Sequence, residues 1–146
     1  MCVKFEGKTF KDGRCWPISV SALEIVTQGK SKKDAYVMIK EAVELYVNQK
    51  GFEVEVIPMP GDQFILRAKK NDDDKFLVAL MLKQQRAKHG LSTAAVAERL
   101  GITKHAYAQY EQARSLPSLT KIEEFVYAMD KHAHFVVNVF EETKAA

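Results

Sequence analysis

The chain has 146 residues, 47% hydrophobic and 28% charged, which suits one ordinary soluble domain or two small ones. Its longest apolar run, Phe76 to Leu82, is far shorter than the roughly 20 residues that span a bilayer, and no apolar segment follows Met1 as in a secretion signal. We therefore expect a cytoplasmic protein without membrane contact, whose two cysteines, Cys2 and Cys15, are small apolar thiols rather than disulfide or zinc ligands.

The formal net charge of +3 is unevenly distributed along the chain. Residues 76–117 contain six basic and only two acidic residues, whereas residues 71–75 and 118–146 are net acidic. A local excess of positive charge attracts a phosphate backbone. The charge pattern therefore favours a nucleic-acid contact in residues 76–117, with an ordinary solvated basic surface as the alternative.

The first 70 residues predict an α+β domain of antiparallel strands with one principal helix. The helix begins after Ser31, an N-cap residue with Asp34 in the capping-box position, and is expected to end at Gly51. Alternating apolar residues and turn signals predict the strands. Five short strands are expected, at residues 3–5, 15–20, 25–27, 53–59 and 64–68.

Residues 71–75 are charged, contain no apolar residue and are predicted to be a linker. Three successive aspartates end at Asp74, but they lack the glycine turn and the bidentate acid of a calcium loop. We expect no metal site there and predict that Asp74 caps the next helix. His132 and His134 favour the start of a strand over a metal contact.

From residue 76 the apolar residues recur at helical spacing. Helices are expected at residues 76–89, 93–100, 104–112 and 118–130, within a five-helix domain over residues 75–131. The next segment, residues 134–140, is β-branched and aromatic and predicts a strand inside a tail of residues 132–146. A lone strand must pair with the first domain's sheet or with a second copy of the chain.

Residues 92–112 predict two short helices that cross at a tight turn. Ala97 is small enough to let the second of these helices approach, and Gly101 permits a positive φ between them. Ile102 is expected to fill the core from the turn, and Thr103 to cap the helix that follows. The outward positions of that helix are the ones that enter a major groove. They are Lys104, His105, Ala106 and Gln109.

Residues 76–130 resemble the lambda-repressor-like, or XRE-type, helix-turn-helix family. The matching residues are Ser92, Ala97, Gly101, Thr103, Glu111 and Pro117. The resemblance implies base reading by Thr93, Lys104, His105, Ala106 and Gln109, and phosphate contacts by Arg114 and Ser115. Two residues depart from the family pattern: Thr93 stands where glutamine is frequent, and Ala113 where glycine is usual. A left-handed conformation would cost an alanine about 1 kcal/mol.

The first domain resembles the HicB antitoxin family. The resemblance rests on three segments: Cys15-Trp16-Pro17-Ile18, Thr27-Gln28-Gly29 and Glu41-Ala42-Val43-Glu44-Leu45-Tyr46. A subset of that family joins this domain to a helix-turn-helix whose recognition helix resembles Tyr107-Ala108-Gln109-Tyr110-Glu111-Gln112. The two resemblances together cover about residues 3–130. The short first strand and the absence of a Gly-Cys pair before Thr27 depart from the pattern.

The HicB resemblance implies a partial RNase H-like fold without a catalytic role. It also implies that this domain binds a small HicA-like toxin, a ribonuclease with a catalytic histidine, and blocks its active site. The residues agree with the first point, because RNase H chemistry needs several carboxylates that converge on metal ions. Asp12 is expected in a turn, and Glu41 and Glu44 on an ordinary solvated helix face. We therefore expect no enzyme, no cofactor and no bound metal.

The sequence thus predicts an antitoxin of a type II toxin–antitoxin system that neutralises a HicA-like mRNA-cleaving toxin and represses its own operon. We expect a toxin-binding domain at residues 1–70 and a DNA-binding domain at residues 76–131. The predicted partners are double-stranded operator DNA, the toxin and a second copy of the chain in a homodimer or higher oligomer. The alternatives are a stand-alone XRE-family regulator and a protein-interaction module without DNA affinity.

Overall fold

The computed structural model describes residues 3–139, which fall into two compact units. The first unit contains residues 3–70 and 136–139, and the second contains residues 71–135. None of the helices in the described part of the chain is long and apolar enough to cross a membrane. Cys15 is a partly exposed free thiol, and Cys2 lies outside the described residues.

The first unit is an antiparallel five-stranded sheet with one α-helix, which confirms the predicted α+β class. Its elements are β1 (Lys4–Thr9), β2 (Trp16–Val20), β3 (Ile25–Gly29), α1 (Lys32–Val47), β4 (Val54–Pro58) and β5 (Gln63–Ala68). The strand order is β3-β2-β1-β5-β4, so the N-terminal strand lies at the centre of the sheet and β3 and β4 form its edges.

The first strand is longer than predicted because Gly7 continues it. An added Cβ at Gly7 would lie 2.1 Å from Cζ of Phe64, so the phenyl ring occupies the space that a side chain would need. Phe5, Gly7 and Thr9 are all buried on one side of the strand. A glycine in a strand often marks such a close approach.

Helix α1 packs on the sheet through Ala35, Ile39 and Val43, which are fully buried at i, i+4 and i+8. Its start is as predicted: Ser31 Oγ accepts from the Asp34 amide at 3.0 Å. An added Cβ at Gly29 would lie 2.3 Å from the Ala35 nitrogen, so the glycine of the Thr-Gln-Gly segment lets β3 meet the helix.

The predicted end of α1 at Gly51 is wrong by several residues, because Asn48 ends the helix first. Asn48 adopts the left-handed conformation with φ 51° and donates its amide to the Glu44 carbonyl. Asparagine is the residue that most readily replaces glycine in this role.

The second unit contains four α-helices, so the expectation of five is wrong for residues 71–135. They are α2 (Asp74–Lys88), α3 (Thr93–Leu100), α4 (Lys104–Glu111) and α5 (Leu119–Met129). Their shared core includes the ring of Tyr107, which meets Phe125 edge-on with centroids 5.5 Å apart. This close edge-to-face packing fixes α4 against α5.

The predicted linker is not an extended segment. Asn71–Asp73 forms a 3-10 turn, and Asp74 is the buried first residue of α2 rather than its cap. The helix begins two residues earlier than expected, and an acidic residue in its first turn is favoured by the helix dipole.

The predicted strand at residues 134–140 is not formed over residues 134–139, and Phe140 lies outside the described residues. A strand exists only where a neighbouring strand accepts its hydrogen bonds. One polar contact is present in this segment, from Asn138 Nδ2 to Glu6 Oε1 at 3.4 Å. Val136, Val137 and Val139 are mostly exposed.

Candidate nucleic-acid interface

Helices α3 and α4 form a tight two-helix corner whose geometry follows from three short-range signals. Ser92 Oγ accepts from the Ala95 amide at 3.0 Å, and Thr103 Oγ1 accepts from the Ala106 amide at 3.1 Å. Gly101 has φ 69°, and the following amide of Ile102 donates to the Ala97 carbonyl at 3.1 Å. Two N-caps and a left-handed glycine therefore set where each helix begins and how the chain turns between them.

The expectation that Ile102 fills the core is wrong. Its side chain is 39% exposed, whereas Val96, Ala97 and Tyr107 are buried between the helices. These three side chains already occupy the interior of the corner. The isoleucine therefore stays on the outside of the turn.

Ala113, just beyond the C-terminus of α4, has the strained backbone conformation that an alanine in place of the usual glycine implied. Ala113 has φ 57°, and the amide of Arg114 donates to the Gln109 carbonyl at 3.0 Å. This bond closes the C-terminal turn in the way that glycine ordinarily allows. The alanine accepts a conformational cost of about 1 kcal/mol.

The structure brings the predicted outward residues of α4 together on one side of its first two turns. Lys104, His105 and Ala106 are exposed, and Gln109 is half-buried with Nε2 3.4 Å from His105 Nε2. Within residues 3–139 Lys104 has no acidic partner. This side of the helix is free to meet a ligand.

The remaining predicted site residues lie on neighbouring segments. Thr93 is the half-buried first residue of α3, and Arg114 and Ser115 are exposed just after the end of α4. Thr93 therefore lies at the start of the neighbouring helix, and Arg114 and Ser115 lie beyond the C-terminus of α4.

A buried ion pair that the sequence reasoning missed holds the inner side of α4. Arg86 Nε lies 3.1 and 2.9 Å from the two carboxylate oxygens of Glu111, and its Nη2 lies 2.9 Å from Oε1. Its Nη1 donates to the Leu91 carbonyl at 3.0 Å. The guanidinium therefore joins the end of α2, the loop before α3 and the end of α4.

The Glu111 carboxylate shifts the pKa values of two neighbouring side chains. The carboxylate hydrogen bond raises the pKa of Arg86, and burial together with that carboxylate raises the pKa of Tyr107. Glu111 faces inward from α4 and is buried. A buried glutamate requires a cation, and Arg86 in the last turn of α2 was the signal that could have identified the pair.

A second contact that the sequence did not reveal links α4 to α5. Lys121 Nζ donates to the Tyr110 hydroxyl at 2.9 Å and lies 5.4 Å from the centroid of its ring. This hydrogen bond raises the pKa of Lys121. Because both groups are on the outside, the contact adds orientation more than stability.

Residues 78–130 match a family model described as a helix-turn-helix domain. The second unit is a helix-turn-helix domain. The match runs from α2 to the end of α5 and includes the corner with both of its caps. Domains of this kind are typical of DNA-binding regulators that are not enzymes. No curated protein matches the chain.

Replacing Arg86 by alanine is expected to lower the free energy of unfolding by about 3–5 kcal/mol, because it leaves the Glu111 carboxylate buried without its cation. Arg99→Ala is the control: it removes an exposed guanidinium that bonds only the Ala128 carbonyl, and should cost about 1 kcal/mol. Urea denaturation followed by circular dichroism measures both. Equal losses for the two variants would show that the pair does not hold the domain.

Proposed function

We propose that the chain is a repressor that binds double-stranded operator DNA through the helix-turn-helix domain, with α4 in the major groove. The observation that carries the proposal is the division of α4 into two sides. Tyr107 and Glu111 fix the inner side, whereas Lys104, His105 and Gln109 project outward. A rigid helix with free polar side chains at its N-terminal end is what groove recognition requires.

The chemistry of the outward residues suits base edges and phosphates. Lys104 offers hydrogen-bond donors to guanine, Gln109 can bond adenine with both ends of its amide, and Ala106 suits a thymine methyl group. Lys104 sits in the first turn of α4, where the helix dipole disfavours a cation. A DNA anion would compensate that cost.

Replacing either Lys104 or Gln109 by alanine is expected to weaken binding to the operator by about 1–3 kcal/mol, because each would lose base contacts. The operator is sought in the DNA upstream of the gene, and affinity is measured by fluorescence anisotropy across a salt titration. Lys50→Ala in the first unit is the control, since it removes the same charge from an exposed surface.

Random DNA of the same length distinguishes the two kinds of contact. A loss on the operator alone supports base reading, and equal losses on both sequences identify a phosphate contact. Wild-type binding that does not fall steeply with salt would argue against a DNA-binding function altogether.

The second part of the proposal is that the first unit is a HicB-type domain that occludes a HicA-like toxin, which makes the chain an antitoxin. What supports it is the arrangement of one helix on an antiparallel sheet, the close approach at Gly29 and the order of the two units. Within residues 3–139 the acids that the RNase H comparison concerns lie apart: Asp12 lies in the β1–β2 turn, and Glu44 is bound to Lys40 on α1.

The proposal predicts that a short reading frame beside the gene encodes a basic protein that arrests growth, and that co-expression of the chain with that protein restores growth. The physical reason is occlusion of the ribonuclease surface, so cleavage of messenger RNA should stop in the same cells. Growth arrest that persists although the chain is produced and binds its operator would favour the stand-alone regulator instead.

The proposed operator complex requires two copies of the helix-turn-helix domain. A two-fold dimer places two recognition helices in half-sites about one helical turn, roughly 34 Å, apart. We propose that the segment at residues 132–140 pairs with its copy as an antiparallel ribbon. The exposed side chains of Val136, Val137 and Val139 support this proposal. β-branched residues favour strands, and a segment that forms no strand within one chain can pair with the same segment of a second copy.

Removal of residues 132–146 is expected to convert a dimer into a monomer, because it removes the pairing segment. Removal of residues 141–146 alone is the matched control and should leave the dimer intact. Sedimentation equilibrium measures the mass of each. A dimer that persists without residues 132–146 would place the two-fold contact elsewhere.

A further inference from the structure

Three connections of the first unit meet at one end of its sheet: residues 10–15 between β1 and β2, residues 30–31 between β3 and α1, and residues 59–62 between β4 and β5. The strand registers place them together, because β1, β3 and β4 end there and β2 and β5 begin there. The Thr9 amide donates to the Asp62 carbonyl at 2.8 Å, and Lys32 Nζ donates to the Gly61 carbonyl at 3.3 Å. The β4–β5 turn is therefore bonded both to β1 and to the start of α1.

Positive charge predominates at this end of the sheet. The three connections and the first turn of α1 contain five basic residues, which we call the basic end: Lys11, Arg14, Lys30, Lys32 and Lys33. The same segments contain three acidic residues, Asp12, Asp34 and Asp62. Asp34 is already engaged at the start of the helix, where it accepts from the Lys30 amide at 2.8 Å. The cations therefore outnumber the carboxylates.

The cations of the basic end lack anionic partners in the described part of the chain. Lys11, Arg14, Lys30 and Lys33 are exposed and form no ion pair within residues 3–139. Lys32 is half-buried and bonds a carbonyl rather than a carboxylate. Lys32 and Lys33 also lie in the first turn of α1, where the helix dipole disfavours a cation. An external anion would offset both that cost and the repulsion among these charges.

We propose that the basic end binds phosphates of the same DNA that the helix-turn-helix domain binds, an inference that rests on the proposed DNA-binding function. Lysine and arginine at phosphates release the counterions condensed on DNA, which stabilises the complex without reading bases. Because both units belong to one chain, DNA held by one unit is at a high effective concentration for the other.

The width of the sheet suits such a contact. Neighbouring strands lie about 4.8 Å apart, so the end of the sheet from β3 to β5 is about 14 Å wide. That width corresponds to about four successive phosphates of one DNA strand, at roughly 3.4 Å of rise each. The exposed cations of the basic end can therefore meet several phosphates at once.

The composition of the basic end favours a DNA duplex over two other partners. Single-stranded nucleic acids stack their bases on successive aromatic side chains. Residues 10–16 contain two aromatic side chains, of which Phe10 is 49% exposed and Trp16 is half-buried, so they offer one open platform rather than a series. A second copy of the chain is disfavoured as well, because two-fold pairing would bring the same cations together.

The test is the double variant Arg14→Gln with Lys33→Gln, which removes one exposed cation from the β1–β2 turn and one from α1. Lys50→Gln with Lys70→Gln is the matched control, because both lysines are exposed and follow α1 and β5 at the opposite end of the sheet. Each chain is titrated with salt on operator DNA, on random DNA and on single-stranded RNA of the same length. Fluorescence anisotropy measures the affinity, and the unfolding midpoint is recorded for every variant.

The double variant is expected to reduce the slope of log affinity against log salt by about 2, because each phosphate contact contributes about 0.9. The reduction should be equal on operator and random DNA, since phosphate contacts carry no sequence information, and the preference for the operator should persist. The control should keep the wild-type slope, and all unfolding midpoints should agree.

A wild-type slope in the double variant, an equal reduction in the control, a reduction on the operator alone, or weakened binding to RNA alone would overturn the inference. A wild-type chain without preference for its operator would instead refute the proposed repressor function. The two failures are distinguishable, because the salt slope and the preference for the operator are measured separately.

Discussion

The helix-turn-helix domain depends on the buried pair between Arg86 and Glu111. The guanidinium reaches both carboxylate oxygens and the Leu91 carbonyl, so one side chain links three segments that are separate in the sequence. Burial of the Glu111 carboxylate is costly unless nearly all its hydrogen bonds are made, and here the partly buried fork of the arginine makes them. A helix held in this way would lose little conformational freedom on binding a ligand.

The same pair explains why α4 can expose so many polar residues. Eight residues make a marginal helix on their own, so the helix must be fixed by tertiary contacts rather than by its propensity. Tyr107 packs against Phe125, Glu111 binds Arg86 and Thr103 caps the first turn. With the inner side anchored, the outer side need not contribute to stability. Its residues can be selected for a ligand.

The sequence predicted most of what local chemistry determines. The Thr103 cap of the two-helix corner, the left-handed Gly101, the five strands and the outward direction of Lys104 follow from signals within a few residues. The strain at Ala113 was implied instead by the family resemblance, in which glycine is usual at this position. Such features depend on backbone geometry that the neighbouring residues already fix.

What the sequence did not predict depends on contacts between distant segments. Arg86 and Glu111 are 25 residues apart, so neither periodicity nor spacing pairs them. Ile102 looked like a core residue because apolar side chains usually are, but the corner was already filled. The tail has the composition of a strand, yet composition cannot supply the neighbouring strand that one requires. In each case contacts between distant segments, rather than local propensity, determine the structure.

A net charge of +3 says little about the charge of any one surface of the chain. Within residues 71–146 the basic excess is concentrated in residues 76–117, which contain α4, and acidic residues on either side of that segment offset it. Screening limits the reach of an exposed charge to roughly 8–10 Å, so each surface acts on its partner through its local charge rather than through the total. The positive charge beside α4 can therefore attract phosphates although residues 71–146 are neutral as a whole.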